Sequence, residues 1–164
     1  MTQKHLIGRY LQDLSPGRLD WIGLRPARKA EMVHVEEVMA LAELGLEGDH
    51  RCEKTPGSGR QVTLIAAESI RTVEIYTSHH HIGPQQLRRN LVVSGINLNL
   101  LRHQQFRIGE ALFEATALCH PCSRMDQALG KGGAAAMFGY GGLCAKILET
   151  GIIRVGDSIV PVCQ

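Results

Sequence analysis

Aromatic side chains are scarce, at 4% of the chain, so a core must be built from Leu, Ile, Val, Ala and Met. Neither sign of charge is in excess: 18 Lys and Arg against 16 Asp and Glu leave a net charge of +2. That balance is too weak to recruit nucleic acid or an anionic membrane surface by electrostatics alone. Eight histidines add positive charge only as pH falls toward about 6. No stretch comes near the roughly 18 consecutive apolar residues of a membrane span. The opening MTQKHLIGRYLQDLSPG lacks the apolar segment of a secretory signal. Five cysteines are an odd number in no regular framework, which argues against a disulfide scaffold and for a reducing compartment. The expectation is a cytoplasmic protein with no membrane and no nucleic-acid partner. Repeats, linkers and low-complexity tails are missing too, so the 164 residues are expected to form one domain around one core.

Glycine, by contrast, is plentiful and spread out, with 18 residues, as suits short strands joined by tight turns. RLDWIGLRP reads as a strand stopped by Pro26, and RQVTLIAAESIRTVEIYTSH as a strand over 62–66 followed by a helix over about 68–76. Ile70, Val73 and Tyr76 would form that helix's buried stripe. EMVHVEEVMALAELGLEGDHR alternates but is ambiguous between strand and helix. RRNLVVSGINLNLL gives a strand, a turn at Ser94-Gly95, and a short helical turn that Asn97 can cap. FRIGEALFEATALC alternates as a strand, and Ser123 is placed to cap a short helix through Leu129. KGGAAAMFGYGG is too glycine-rich for a stable helix and is expected to stay a loop over the site. LCAKILETGIIRVGDSIVPV finishes as three strands, turning at Glu149–Gly151 and at Gly156-Asp157. The pattern predicts a mostly β fold, a closed or nearly closed barrel with a few short peripheral helices.

The chemistry concentrates in ALCHPCSRMD, where Cys119 and Cys122 stand in a C-x-x-C spacing. No βαβ unit surrounds the pair, which argues against a thioredoxin-like couple, and one pair is only half of a structural zinc site. A sulfur-carrying nucleophile and inert buried sulfur remain as readings. Cys122 follows Pro121 at an expected helix start with Arg124 two residues on, features that stabilise a thiolate. Cys119 ends the apolar alternation and is expected to face inward. Asp49-His50-Arg51 could be an acid–base pair, an anion site or a polar turn. Arg88-Arg89-Asn90 puts two guanidiniums at a strand start, where they suit phosphate or carboxylate. The run His79–His81 reads as a solvated loop, since adjacent residues seldom converge on one ion.

Taken together, GLEGDHR, RQVTLIAAES, RRNLVVSGINLNLL, FRIGEALFEAT, CHPCSRM and GGLCAKILETGIIRVGDSI resemble the MOSC domain, the C-terminal module of molybdenum-cofactor sulfurases that also occurs alone. The resemblance runs from about Ile22 to Ile159 and implies a β-barrel-like fold. It further implies a sulfur-carrier or molybdenum-pterin-binding role on one cysteine, which falls on Cys122 as persulfide carrier or molybdenum ligand. The polar pocket of such a domain would be Asp49, Arg51, Arg60, Arg89 and Asn90, with Arg124 beside the thiol. A separate cysteine desulfurase would donate the sulfur, and no pyridoxal phosphate is expected on this chain. A non-enzymatic small-anion module, or a reductase component acting on N-hydroxylated compounds, are the other functions implied.

Overall fold

Outside the barrel, helix α1 (Gln3–Gly8) precedes β1 (Gly17–Leu24), the strand on which the barrel closes. Leu19 and Ile22 turn inward along β1 into the barrel core, and the chain leaves it before Pro26. The computed structural model describes residues 1–163. The ambiguous stretch that follows is all strand: β2 (Val33–Val35), β3 (Glu37–Leu41) and the short β4 (Gly45–Leu46). Valines at alternate positions decide this, because their branched side chains suit a pleated surface better than a helix.

Next come β5 (Val62–Ala66), α2 (Ala67–Thr77), α3 (Pro84–Leu87) and β6 (Leu91–Ser94). A 3₁₀ turn at Leu98–Leu101 follows, with the Asn97 side chain accepting from the Asn99 N–H as expected. The chain then forms β7 (Gln105–Ile108), β8 (Ala111–Leu118), α4 (Arg124–Leu129), α5 (Gly133–Met137), β9 (Leu143–Glu149), β10 (Gly151–Arg154) and β11 (Ser158–Pro161). Around the barrel the order is β11-β7-β8-β9-β5-β6-β1, and β1 pairs back on β11 through Gly17 opposite Ile159. Seven strands therefore close on themselves. β2 adds to the far end of β1, while β10, β3 and β4 form a separate small sheet. Every pairing between the named strands is antiparallel except β5 with β6, whose parallel register requires the crossover that α2 and α3 supply. No helix among the described residues is long and apolar enough to cross a membrane.

The crossover explains why all five residues of β5 are buried. Val62, Leu64 and Ala66 point into the barrel core, while Ile65 points outward beneath the helices. Inside, Phe106 and Phe113 stack with centroids 5.4 Å apart. Outside, Ile65 packs with Ile70, Val73, Leu87, Met125, Leu129 and Met137.

Three local expectations change. Tyr76 is exposed, and Glu74 takes the third buried place on α2 beside Ile70 and Val73. Ser123 precedes α4 but already has helical dihedrals, so its side chain caps nothing. The glycine-rich segment is not wholly loop, because Gly133–Met137 forms α5. Asp126 Oδ1 accepts from the Ala134 N–H at 2.9 Å, and Met137 is buried. Gly133 lies so close to the Met125 carbonyl that an added Cβ would come within 2.6 Å of it. Tertiary contact overrides the poor helix propensity of glycine here.

At the end of that segment Gly142 has φ +88°, and a Cβ there would fall 1.8 Å from the Leu64 carbonyl oxygen. Gly142→Ala is therefore expected to cost about 3 kcal/mol or more of stability. Gly139→Ala, at φ +85° but in open space, should cost only about 1 kcal/mol from backbone strain. Urea unfolding of the two variants checks this, and equal losses would remove the steric argument.

Candidate functional site

The site begins with a buried carboxylate. Asp49 follows β4 and caps the 3₁₀ turn His50–Glu53, its Oδ1 accepting from the Arg51 N–H at 2.9 Å. Its Oδ2 accepts from the Arg25 N–H at 2.9 Å, from Arg25 Nε at 3.3 Å and from Asn90 Nδ2 at 3.0 Å. Asn90 in turn donates to the Gly23 carbonyl at 3.0 Å, and its Oδ1 accepts from the Thr63 N–H at 3.2 Å. The end of β1, the middle of β5 and the start of β6 are thus held at one point. Burial alone would raise the Asp49 carboxyl, but the Arg25 guanidinium and the Arg25 and Arg51 N–H groups outweigh it and hold it below the usual carboxylate range.

Around this anchor stands an excess of guanidinium. Arg89 is 6% exposed and donates through Nε to the Gly141 carbonyl at 2.8 Å and through Nη1 to the Leu87 carbonyl at 2.9 Å. Its Nη2 is buried with no hydrogen-bond partner among the described residues. Arg51 donates through Nε to the Arg60 carbonyl, and Arg60 Nη2 reaches Cys119 Sγ at 3.7 Å. Burial, then repulsion from Arg60 and Arg25, lowers Arg51 from its ordinary value. One inward carboxylate does not neutralise such a set.

Cys119 is the thiol at the bottom of this arrangement. It is 2% exposed, and its N–H donates to the Gly142 carbonyl at 2.8 Å, continuing the β8–β9 pairing past Leu118. That pairing brings up Cys144, opposite Ala117 on β8. The neighbouring Cys144 thiol lowers the Cys119 pKa against the opposing effect of burial, and Arg89, Arg60 and Arg25 lower it further. Cys144 is pushed up correspondingly and keeps its proton. A thiolate flanked by guanidiniums is a nucleophile and a soft-metal ligand. The cleft beside it, lined by Cys119, His120, Gly139 and Gly141 among others, measures only about 10 Å³. On this side exposed Phe138 stacks on His120 with centroids 6.0 Å apart.

Hydrogen bonds thus link Asn90, Asp49, Arg51 and Arg60 into one chain that reaches Cys119, with Arg89 beside it but bonded only to main-chain carbonyls. Cys122 is exposed just before α4, and both cysteines of the C-x-x-C are free thiols. Arg124 lines a different cavity, with Lys29 and Arg88. His79 bonds the Thr77 hydroxyl at 2.8 Å, and no group of three metal-binding side chains occurs among the described residues. Arg25 and Cys144 belong to the site without having been singled out in the sequence. Neither carries a local motif, and only strand pairing reveals them.

A profile of the MOSC domain matches residues 30–160. The chain belongs to the MOSC domain family. No curated protein sequence gives a significant match. Among solved structures, YuaD of Bacillus subtilis superposes with a TM-score of 0.77 at 16% identity, covering 92% of this chain and 98% of that one. YiiM of Escherichia coli gives 0.68 at 21% identity, over 90% of this chain and 70% of that one. YiiM of Geobacillus stearothermophilus gives 0.70 at 16% identity, over 90% and 75%. At these identities the likeness is one of fold.

In this MOSC domain the lowered Asp49 pKa has a sign that can be checked. A carboxyl held low in the folded state adds stability above its unfolded pKa, and that stability is lost as pH falls through the folded value. Asp49→Asn is expected to cost about 3 kcal/mol near pH 7, because it leaves Arg25 buried against a neutral group. The difference from wild type should close as pH falls below about 4. Urea unfolding across that range measures it, and a constant difference would show that the charge does not matter.

Proposed function

We propose that this MOSC domain binds an anionic molybdenum-pterin cofactor, with Cys119 as the thiolate ligand and Arg60 and Arg89 as its anion contacts. The observation that carries the reading is the buried Arg89 Nη2, without a partner among the described residues, in the same guanidinium cluster as a thiol that Arg60 contacts at 3.7 Å. A buried donor left unmade costs about 1–3 kcal/mol, and an anionic ligand would remove that cost. Thiolate sulfur is a soft donor, suited to the metal of such a group, and guanidiniums match phosphate oxygens in pairs. When bound, the group supplies a centre for two-electron redox chemistry. The chain's own part is to hold and orient it. Cys144 retains its proton so that Cys119 carries the negative charge, and Asp49 and Asn90 fix Arg25 at the rim.

The exposure of Cys122 favours a second reading, that of sulfur carrier. A persulfide collected from a separate cysteine desulfurase requires a thiol that another protein's active site can reach. Cys122 meets that requirement and buried Cys119 does not.

Protein purified from molybdenum-replete cells separates the two by metal analysis, pterin fluorescence and intact mass. Wild type and Cys122→Ser should both retain molybdenum and pterin, while Cys119→Ser should lose metal by about tenfold or more. Arg89→Lys, which keeps the charge but not the planar fork, should lose pterin. Metal retention should fall as pH drops through the lowered Cys119 pKa, since the thiolate is the ligand. Undiminished metal in Cys119→Ser overturns the first reading. One extra sulfur found only on Cys122 supports the second.

A further inference from the structure

We propose that Cys119 and Cys144 form a peroxide-reactive dithiol: hydrogen peroxide oxidises Cys119, and Cys144 closes a reversible disulfide on it. The strand register puts the two side chains together. Across β8 and β9, Ala117 stands opposite Cys144 and Leu118 opposite Leu143, and the Cys119 N–H then donates to the Gly142 carbonyl at 2.8 Å. Side chains alternate between the faces of a sheet, so Ala117, Cys119 and Cys144 share one face, with the cysteines on a diagonal. The other diagonal is Ala117 and Gly142, a methyl group and no side chain, so nothing bulky parts the sulfurs. The Cys144 thiol neighbours that of Cys119. Both are buried free thiols, 5% and 2% exposed, yet neither packs into the barrel core or the outer apolar cluster. Cys122, by contrast, is exposed.

The surroundings supply what the first step needs. Arg60 Nη2 lies 3.7 Å from Cys119 Sγ, and a cation beside a thiol favours the thiolate, the form that attacks an oxidant. The cleft at Cys119, about 10 Å³, has room for a molecule close to water in size and excludes a disulfide such as oxidised glutathione. The Cys119 thiolate attacks one peroxide oxygen, the O–O bond breaks, and the departing hydroxide takes a solvent proton to leave as water. The sulfur is then a sulfenic acid, oxidised by two electrons. Next the Cys144 sulfur attacks it, the S–O bond breaks, and the sulfenic hydroxyl leaves with the Cys144 proton as a second water. One S–S bond has formed and one peroxide has been reduced.

Bridged cysteines have Cα atoms about 4.4–6.8 Å apart and diagonal neighbours in a regular ladder about 7–8 Å, so closure draws the chain in by about an ångström. Cys119 can supply that movement, because it lies one residue beyond the last ladder pair, Leu118 with Leu143. A bridge formed under strain is easily reduced, which makes it reversible. This chemistry needs only the chain and a peroxide. Its consequence, removal of the metal ligand, rests on the cofactor reading above: peroxide would switch the site off and a dithiol would restore it.

The full chain, produced without added molybdenum and reduced with dithiothreitol, is treated with hydrogen peroxide, alkylated and digested for mass spectrometry. Wild type should lose two hydrogens, yield a peptide linked from Cys119 to Cys144, and return to its starting mass with dithiothreitol. Cys144→Ala should form no such bridge and leave Cys119 as a sulfenic acid that dimedone traps. Three results overturn the proposal: an unchanged mass with both thiols still alkylated after unfolding, a link made through Cys122 in its place, or Cys119 carried to sulfinic acid in wild type while Cys144 stays reduced. The linkage is mapped on wild type, so a Cys144→Ala chain that fails to fold does not remove the test. Molybdenum-loaded protein separates this inference from the cofactor reading. Slower bridging there supports both, while bridging at the metal-free rate supports the dithiol and counts against Cys119 as the metal ligand.

Discussion

A single buried carboxylate holds the working end of the barrel together. Asp49 accepts from the backbone and side chain of Arg25, from the side chain of Asn90 and from the backbone of Arg51. These partners come from the end of β1, the start of β6 and the turn after β4. A buried charge with this many donors stays ionised, and an ionised carboxylate keeps each donor in place. The strand ends that carry the site are therefore located by electrostatics as well as by sheet pairing.

The same anchor also makes the positive charge tolerable. Asp49 offsets Arg25 directly, yet Arg51, Arg60 and Arg89 remain in its neighbourhood without acids of their own. Arg89 is satisfied on two of its nitrogens by main-chain carbonyls, which orient it without neutralising it. The field that remains lowers the pKa of Cys119, as does the neighbouring Cys144 thiol. Cationic surroundings and a neighbouring thiol proton both favour the thiolate. The outcome is an anionic sulfur among cations, set where β8 and β9 continue to pair beyond their last ladder residues.

Barrel closure accounts for the two cores. The parallel pairing of β5 and β6 places α2 and α3 on one outer face, and α4 and α5 pack onto the same face. Strand β5 then faces apolar neighbours on both sides. Packing against Met125 and Leu129 is also what lets a glycine-rich segment hold a helical turn at Gly133–Met137.

Much of this was legible in the residues themselves. Alternation and glycine spacing located the strands from β5 onward. The resemblance carried by Arg-Asn at the start of β6, Gly-Asp-His-Arg after β4 and Cys-His-Pro-Cys after β8 named the family and most of the network around Asp49. What could not be read was how the guanidiniums lie in space relative to the two cysteines. Cys122 has the better local context, with a proline before it and an arginine two residues on. Yet thiolate stability depends on charges close in space, and those come from Arg60, Arg89 and Arg25, up to 94 residues away in the chain. Arg124, next to Cys122 in sequence, faces another cavity. The sequence by itself determined the strand pattern, the family and the residue types of the site. The tertiary structure alone decided that Arg60 lies against Cys119, because strand pairing, and not chain proximity, sets the distances over which charge acts.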